Sequence, residues 1–280
     1  MIDLHLHTSA SDGDYSPPEV VTRARQAGLR TIAITDHDTV AGIAEAQRAG
    51  SDLGVEVIAG IEVTAVHGQR DVHVLGYFID PMCEALLDFL TRQRLNRVER
   101  VREMAVRLAE LGMPIDADAL LAPFTLQPGR SVGRPAVARA LVDAGHVPTV
   151  SAAFDALISA GRPAFVPRRG ASPTEVVAVI HGAGGLASLA HPGLIRRDDI
   201  IPSLVAAGLD ALEAFHSDHS PDDVVRYRTM AAQHALAVTG GSDFHGDSRH
   251  PRATLGSVTL PQDEFERFFS RVAARQPGGM

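Results

Sequence analysis

Apolar positions along this chain follow two periods that take turns. Short runs of strand character open with Asp3-Leu4-His5-Leu6-His7-Thr8 and recur at 31–35, 55–61, 72–77, 163–166, 185–190, 209–215 and 235–239. Between them lie stretches with helical spacing, at 17–29, 39–49, 173–183, 221–234 and 262–275. This alternation predicts a mainly parallel α/β sheet or barrel. The rhythm breaks once. Residues 84–112 read as one long amphipathic helix, followed by helical patterns at 134–144 and 150–160 and punctuated by Pro114, Pro123, Pro128 and Pro148. We therefore expect a barrel in two parts, 1–95 and 166–280, with a helical insertion over 96–165. The tail 276–280 is expected to fray.

In an extended strand side chains alternate between faces, so His5 and His7 point one way while Ile2, Leu4 and Leu6 point the other, into a core. A stiff strand thus presents two imidazoles side by side. Asp12 follows in a loop, and Pro17 and Pro18 open a helix. A lone histidine on such a strand reads most simply as a hydrogen-bonded core residue. That reading weakens because further clusters recur downstream: Asp36/His37, Glu62, His73, His191, Glu213/His216/His219 and Asp243/His245, almost all where a predicted strand ends. In (β/α) barrels those strand ends build the active site. Mixed imidazole and carboxylate donors suit borderline divalent metals.

Composition narrows the picture. The chain has 280 residues, 45% of them hydrophobic, enough for one large core with an insertion. No apolar run approaches a membrane span. Asp3 and two histidines stand where a signal peptide would be basic, so a cytoplasmic protein is expected. Cys83 is the single cysteine, which excludes an internal disulfide and thiolate-rich zinc, and reads as a small buried hydrophobe. The net charge of −8 argues against a grip on long duplex DNA. An anionic substrate stays open if bound metals supply positive charge locally. Arg92, Arg94, Arg97, Arg100, Arg102 and Arg107 read first as a solvated helix face, though their spacing would also let several border an anionic cleft. No nucleophile elbow, phosphate-binding loop or dinucleotide fingerprint competes. Gly240-Gly241-Ser242 lets backbone come close beside Asp243.

Asp3-Leu4-His5-Leu6-His7-Thr8, Thr35-Asp36-His37-Asp38, Gly60-Ile61-Glu62, Ala190-His191-Pro192 and Gly241-Ser242-Asp243-Phe244-His245 resemble, in order, the motifs of the PHP (polymerase and histidinol phosphatase) family. The resemblance implies a distorted seven-stranded (β/α) barrel with a trinuclear metal site, two to three divalent ions with manganese first and iron or zinc also fitting, and phosphoester hydrolysis by metal-activated water. By position it implies one ion on His5, His7, Glu62 and Asp243, a second on Glu62, His73 and His191, and a third on Asp12, His37 and His245. Gly133-Arg134-Pro135 and the run from Glu213 to His219 resemble a branch of 3′,5′-nucleotide bisphosphate phosphatases and 5′–3′ exoribonucleases. A histidine usually follows Gly-Arg-Pro in that branch, and here the residue is Ala136.

The resemblance thus implies a substrate that is a small nucleotide such as pAp (adenosine 3′,5′-bisphosphate) or a short single-stranded RNA, with 96–165 as a cap. Arg134 is the candidate phosphate grip, His216 a phosphate contact or proton donor, His219 a substrate contact or a packing residue, and Asp36 the residue that orients a ligand imidazole. His67, His146, His181, His234 and His250 are read as surface or structural. The rivals are histidinol-phosphate phosphatase, a non-catalytic PHP module and an amidohydrolase. The last is disfavoured because the chain has no lysine to carboxylate.

Overall fold

The computed structural model describes residues 1–68, 70–126, 132–247 and 252–275, the side chains of 124–126 and 273–275 excepted. Pro128, His250 and the tail lie outside the described residues. Seven strands form one sheet in chain order: β1 (Ile2–Leu6), β2 (Thr31–Ile34), β3 (Glu56–His67), β4 (Arg70–Tyr77), β5 (Leu186–Leu189), β6 (Ala211–His216) and β7 (Ala237–Gly241). The sheet curls until its edges meet. Leu6 bridges Phe244, His7 N–H donates to Phe244 C=O at 2.9 Å and Asp243 N–H to His5 C=O at 2.9 Å. The result is a nearly closed barrel.

One strand departs from the mainly parallel expectation. β4 runs antiparallel to both β3 and β5, while the other neighbours pair in parallel. The connection from His67 to Arg70 is too short for a crossover, which needs a dozen residues or more. The reversal carries His73, early in β4, to the rim that the parallel strands reach with their carboxyl ends. No strand forms at 163–166. There the Phe165 carbonyl takes Arg107, and the Val166 carbonyl takes Arg100 Nε–H at 2.8 Å, so side chains replace a ladder.

The helices are α1 (Pro17–Gln26), α2 (Ile43–Leu53), α3 (Glu84–Glu110), α4 (Ala117–Leu126), α5 (Arg134–Asp143), α6 (Val150–Ala153), α7 (Pro173–Gly182), α8 (Pro192–Ile195), α9 (Ile201–Ala206), α10 (Pro221–Gln233) and α11 (Gln262–Arg275). A π turn, Phe154–Ile158, continues α6. Three barrel helices start the same way, a serine followed by proline with a carboxylate three residues on. Glu19, Glu175 and Asp223 accept the N–H of Ser16, Ser172 and Ser220 at 2.8, 2.7 and 3.0 Å. Each satisfies a donor that a helix start leaves unpaired, and proline is pre-set for the first turn.

The barrel core packs Ile61, Leu75, Tyr77, Ile180 and Leu212 on one side and Leu6, Val20, Ile32 and Phe244 on the other. A separate apolar cluster joins Met104 and Leu108 of α3 to Val137 and Leu141 of α5 and to Ile158. α3 connects the two, with Leu86 and Leu90 in the barrel core and Val101 onward in the second cluster. Ala136 is buried in that second cluster, so its methyl offers a substrate nothing. No helix among the described residues is long and apolar enough to cross a membrane.

Candidate metal centre

At the rim, β1 turns His5 and His7 inward with their ring centroids 5.2 Å apart. Only glycine fits opposite, because a Cβ on Gly241 of β7 would lie 2.3 Å from the His5 backbone nitrogen. Glu62 of β3 is the hub. Its Oε2 stands 3.4 Å from His5 Nε2, 3.2 Å from His7 Nε2 and 3.0 Å from His37 Nδ1. Its Oε1 stands 2.7 Å from His73 Nδ1 and 3.0 Å from His191 Nε2. Asp243 Oδ1 lies 3.2 Å from His5 Nε2 and 3.1 Å from His7 Nε2. Asp12 Oδ1 sits 3.4 Å from His245 Nε2 and 3.9 Å from His7 Nδ1.

Close approach here is mostly not hydrogen bonding. Both nitrogens of His7, Nδ1 of His37 and His191, and Oδ1 of Asp243 are buried without a hydrogen-bond partner among the described residues. Buried polar atoms are ordinarily satisfied, and leaving one bare costs about 1–3 kcal/mol. Such orphans in one pocket, all nitrogen or carboxylate oxygen, fit divalent cations that would sit between them. Among the described residues, potential ligand atoms gather within 4.8 Å of one another in four groups: His5/His7/Glu62/Asp243, His7/Asp12/His37/His245, His37/Glu62/His73 and His5/Glu213/His216. The first is the quartet expected for one ion. The second adds His7 to the expected third set. In the third, His37 joins Glu62 and His73, while His191 approaches Glu62 by the same oxygen as His73.

The electrostatics are lopsided without a cation. Burial alone would depress His7, but the carboxylates of Asp243 and Glu62 lift it to about 10. Burial likewise works against a charged His5, and Glu213, Asp243 and Glu62 outweigh it, holding His5 well above its ordinary value. At His37 burial wins, with help from His7, and the imidazole falls to about 3. Burial alone would raise Glu62 and Asp243, yet the surrounding imidazoles hold both carboxyls well below the usual range. The pocket is a set of ionised carboxylates crowded by imidazoles, some of them protonated, and a metal must displace those protons to bind.

Other expected site residues fall differently. Asp36 makes no hydrogen bond to an imidazole among the described residues. It is buried and accepts from Thr8 N–H and Thr8 Oγ1–H at 2.7 Å each and from Ser11 Oγ–H at 2.6 Å, so it shapes the loop leading to Asp12. Both ring nitrogens of His219 are engaged by backbone. Its Nδ1–H donates to Ala214 C=O at 2.8 Å and its Nε2 accepts Gly193 N–H at 3.1 Å, and burial keeps its pKa low. His216 is 3% exposed, with Nδ1 accepting Asp218 N–H at 3.1 Å and Nε2 at 3.3 Å from Asp243 Oδ2, so it belongs with the cluster and not with an open substrate face.

Arg134 opens α5 and lines a cavity of about 310 Å³ together with Arg70, Arg100, Arg168 and Leu194. Among the described residues it has no carboxylate partner, and its guanidinium lies 5.8 Å over the Phe154 ring. Arg97 and Arg100 correct the reading of the α3 arginines as a solvated face. Arg97 pairs with Asp38 and donates to Thr64 Oγ1 at 3.0 Å, and Arg100 is buried. Burial lowers Arg100 to about 10, with Arg168 and Arg134 pushing the same way. The i, i+3 spacing of Arg97 and Arg100 was the available signal for a shared inward face; nothing marked Arg168 or Arg70. Glu213 stood in a recognised cluster but carried no role there.

The fold and this centre define a barrel hydrolase of the metal-dependent kind. The PHP domain profile matches residues 3–116. The chain is 36% identical over 267 residues to a 3′,5′-nucleoside bisphosphate phosphatase of Chromobacterium violaceum, covering 93% of this chain and 92% of that one. It is 36% identical over 253 residues to the 5′-3′ exoribonuclease Rnm of Salmonella typhimurium, covering 87% and 84%. A crystal structure from Bifidobacterium adolescentis, assigned as a metal-dependent phosphoesterase, superposes with a TM-score of 0.82 at 37% identity and 96% coverage of both chains. The chain belongs to the PHP family of metal-dependent phosphoesterases, hydrolases of phosphoric esters.

Proposed function

We propose that the protein hydrolyses a phosphate ester of small nucleotides that carry a second phosphate, 3′,5′-bisphosphonucleotides such as pAp first and the 5′-phosphorylated end of short RNA second. The observation that carries this reading is the arginine-lined cavity. Arg70, Arg100, Arg134 and Arg168 face Asp71 as the only carboxylate among the described residues that line it, in a chain of net charge −8. Mutual repulsion among guanidiniums gathered on one cavity, Arg100 buried among them, is relieved by an anion, and guanidinium matches phosphate in a bidentate fork. About 310 Å³ suits a ligand of mononucleotide size. Leu194 of its lining lies three residues beyond His191 and Asp71 two before His73, so segments that carry two of the candidate ligands also form the cavity wall. The activities of the two relatives favour the same substrate class.

In this reading His5, His7, Asp12, His37, Glu62, His73, His191, Asp243 and His245 would hold the ions, Glu62 being common to two of the sets. Bound divalent ions, two or three with Mn²⁺ ahead of Fe²⁺ and Zn²⁺, supply Lewis acidity and an activated water. Arg134, with Arg100 and Arg168, holds the phosphate that stays behind. Residues 96–165, which contribute Arg100, Arg134, Ala160 and Phe165 to the lining, act as the cap. A cytoplasmic location fits a chain whose single cysteine, Cys83, is free.

The test is phosphate release from pAp, AMP and a short 5′-phosphorylated RNA, with Mn²⁺ added or chelated. pAp should turn over best, and chelation should stop all release. Arg134→Gln should raise KM for pAp by roughly tenfold or more, the worth of one charge-assisted hydrogen bond, and leave kcat nearly intact. Equal turnover of AMP and pAp, or an unchanged KM in the variant, would remove the second-phosphate reading.

A further inference from the structure

One fully buried carboxylate touches two of the centre's residues, the ring of one and the backbone of the other. Glu213 lies within β6 and is 0% exposed. Its Oε1 is 2.9 Å from His5 Nδ1, and its Oε2 accepts the backbone N–H of His191 at 2.7 Å. His5 presents its other nitrogen, Nε2, to Glu62 and Asp243 at 3.4 and 3.2 Å. A neutral imidazole has one N–H and one lone pair. An acceptor at Nδ1 keeps the proton there and leaves the Nε2 lone pair for the pocket. At the other oxygen, His191 holds a backbone seldom adopted by a side-chain-bearing residue, φ 26° and ψ 58°. Such a conformation lasts only where its surroundings hold it. The Glu213 contact, with Leu194 N–H donating to the His191 carbonyl at 2.9 Å, does so. That backbone aims the His191 ring, whose Nε2 lies 3.0 Å from Glu62.

Glu213 could instead be a ligand, since it groups with His5 and His216. Against this, both of its oxygens already have donors, and His216 is engaged by Asp218 and Asp243. Ligation would give up both N–H contacts. We propose that Glu213 is a positioning residue that fixes the tautomer of His5 and the strained backbone of His191, and so sets how tightly the centre holds its ions. This rests on His5 and His191 being ligands.

The experiment is a long-range ¹H–¹⁵N correlation of the histidine rings in the zinc-loaded full chain, with zinc affinity measured by chelator competition. The His5 signals are assigned by their loss in His5→Ala. Wild type should show His5 protonated at Nδ1 with zinc on Nε2. Glu213→Gln offers an acceptor to only one of the two donors. It should blur or reverse that signature and weaken zinc binding roughly 10- to 100-fold, with the number of ions at saturation unchanged. Glu213→Asp should recover part of the affinity. Wild-type His5 protonated at Nε2 would overturn the proposal without need of any variant. So would unaltered zinc affinity in Glu213→Gln, or the loss of one whole ion from it, which would make Glu213 a ligand. Retention of every ion by both His5→Ala and His191→Ala would instead sink the ligand reading underneath.

Discussion

Glu62 and Asp243 show how single residues organise this pocket. Each is an ionised carboxylate held below its usual range by neighbouring imidazoles, and Asp243 reaches them from a left-handed backbone, φ 55°. Asp243→Asn keeps the shape and removes the charge. We expect phosphate release to fall by at least about a hundredfold, on the scale of losing one aimed electrostatic group. His7→Ala should do the same, with far-UV circular dichroism unchanged in both. Turnover near wild type would take these residues out of the site. The residues flanking His37 mark where reading by sequence stops. Asp36 and Asp38 bracket the imidazole in the chain, and either could have oriented it. Asp36 turns to Thr8 and Ser11, whereas Asp38, on a left-handed backbone of φ 52°, turns to the Thr64 N–H at 2.9 Å and to Arg97. Which donors wait on each side is decided by segments far along the chain.

Among the elements, α3 joins barrel and insertion. Its inward stripe is apolar at Leu86, Phe89 and Leu90, polar at Gln93, Arg97 and Arg100, and apolar again at Val101 and Met104. The polar stretch crosses the barrel rim, where Gln93 Nε2–H donates to the Thr64 carbonyl at 3.0 Å and Arg97 meets Asp38. The helix was legible from its spacing. Its inner face was not, because a stripe that meets backbone carbonyls and a carboxylate looks in sequence like a stripe that meets water. The same ambiguity produced a strand at 163–166 and hid the reversal of β4. Breaking the Arg97–Asp38 pair leaves a buried carboxylate short of its partner. Arg97→Met should cost about 3 kcal/mol in a denaturant titration. A variant as stable as wild type would show the pair to be fully screened by solvent.

For the whole molecule, the centre ties stability to protons and ions together. His7, lifted to about 10, favours its protonated form in the metal-free fold. A raised folded pKa contributes stability that is complete below the unfolded value near 6.5 and is lost as pH climbs toward 10. The metal-free protein should therefore lose thermal stability between pH 7 and 10. The Mn²⁺-loaded protein, whose imidazoles no longer carry those protons, should lose less over the same range. Adding Mn²⁺ at a hundred times its Kd should add about 2.7 kcal/mol at fixed pH. Parallel pH curves for the two forms would contradict the proton–metal competition. The barrel and the imidazoles and carboxylates gathered at its rim were legible because strand-end motifs recur in a fixed order. The cavity was not, because its arginines come from α3, β4, α5 and a loop that share no pattern.

The barrel is fastened where its first and last strands meet, and Ser242 N–H reaches Asp3 Oδ1 at 2.9 Å across a sequence separation of 239 residues. On the ribosome, the opening histidines emerge long before the aspartate and histidine that complete their pocket. A nascent chain can offer a passing cation only stray pairs of donors. Loading with metal is thereby postponed until Asp243 and His245 have been made, and a product cut short before them carries no assembled hydrolytic centre.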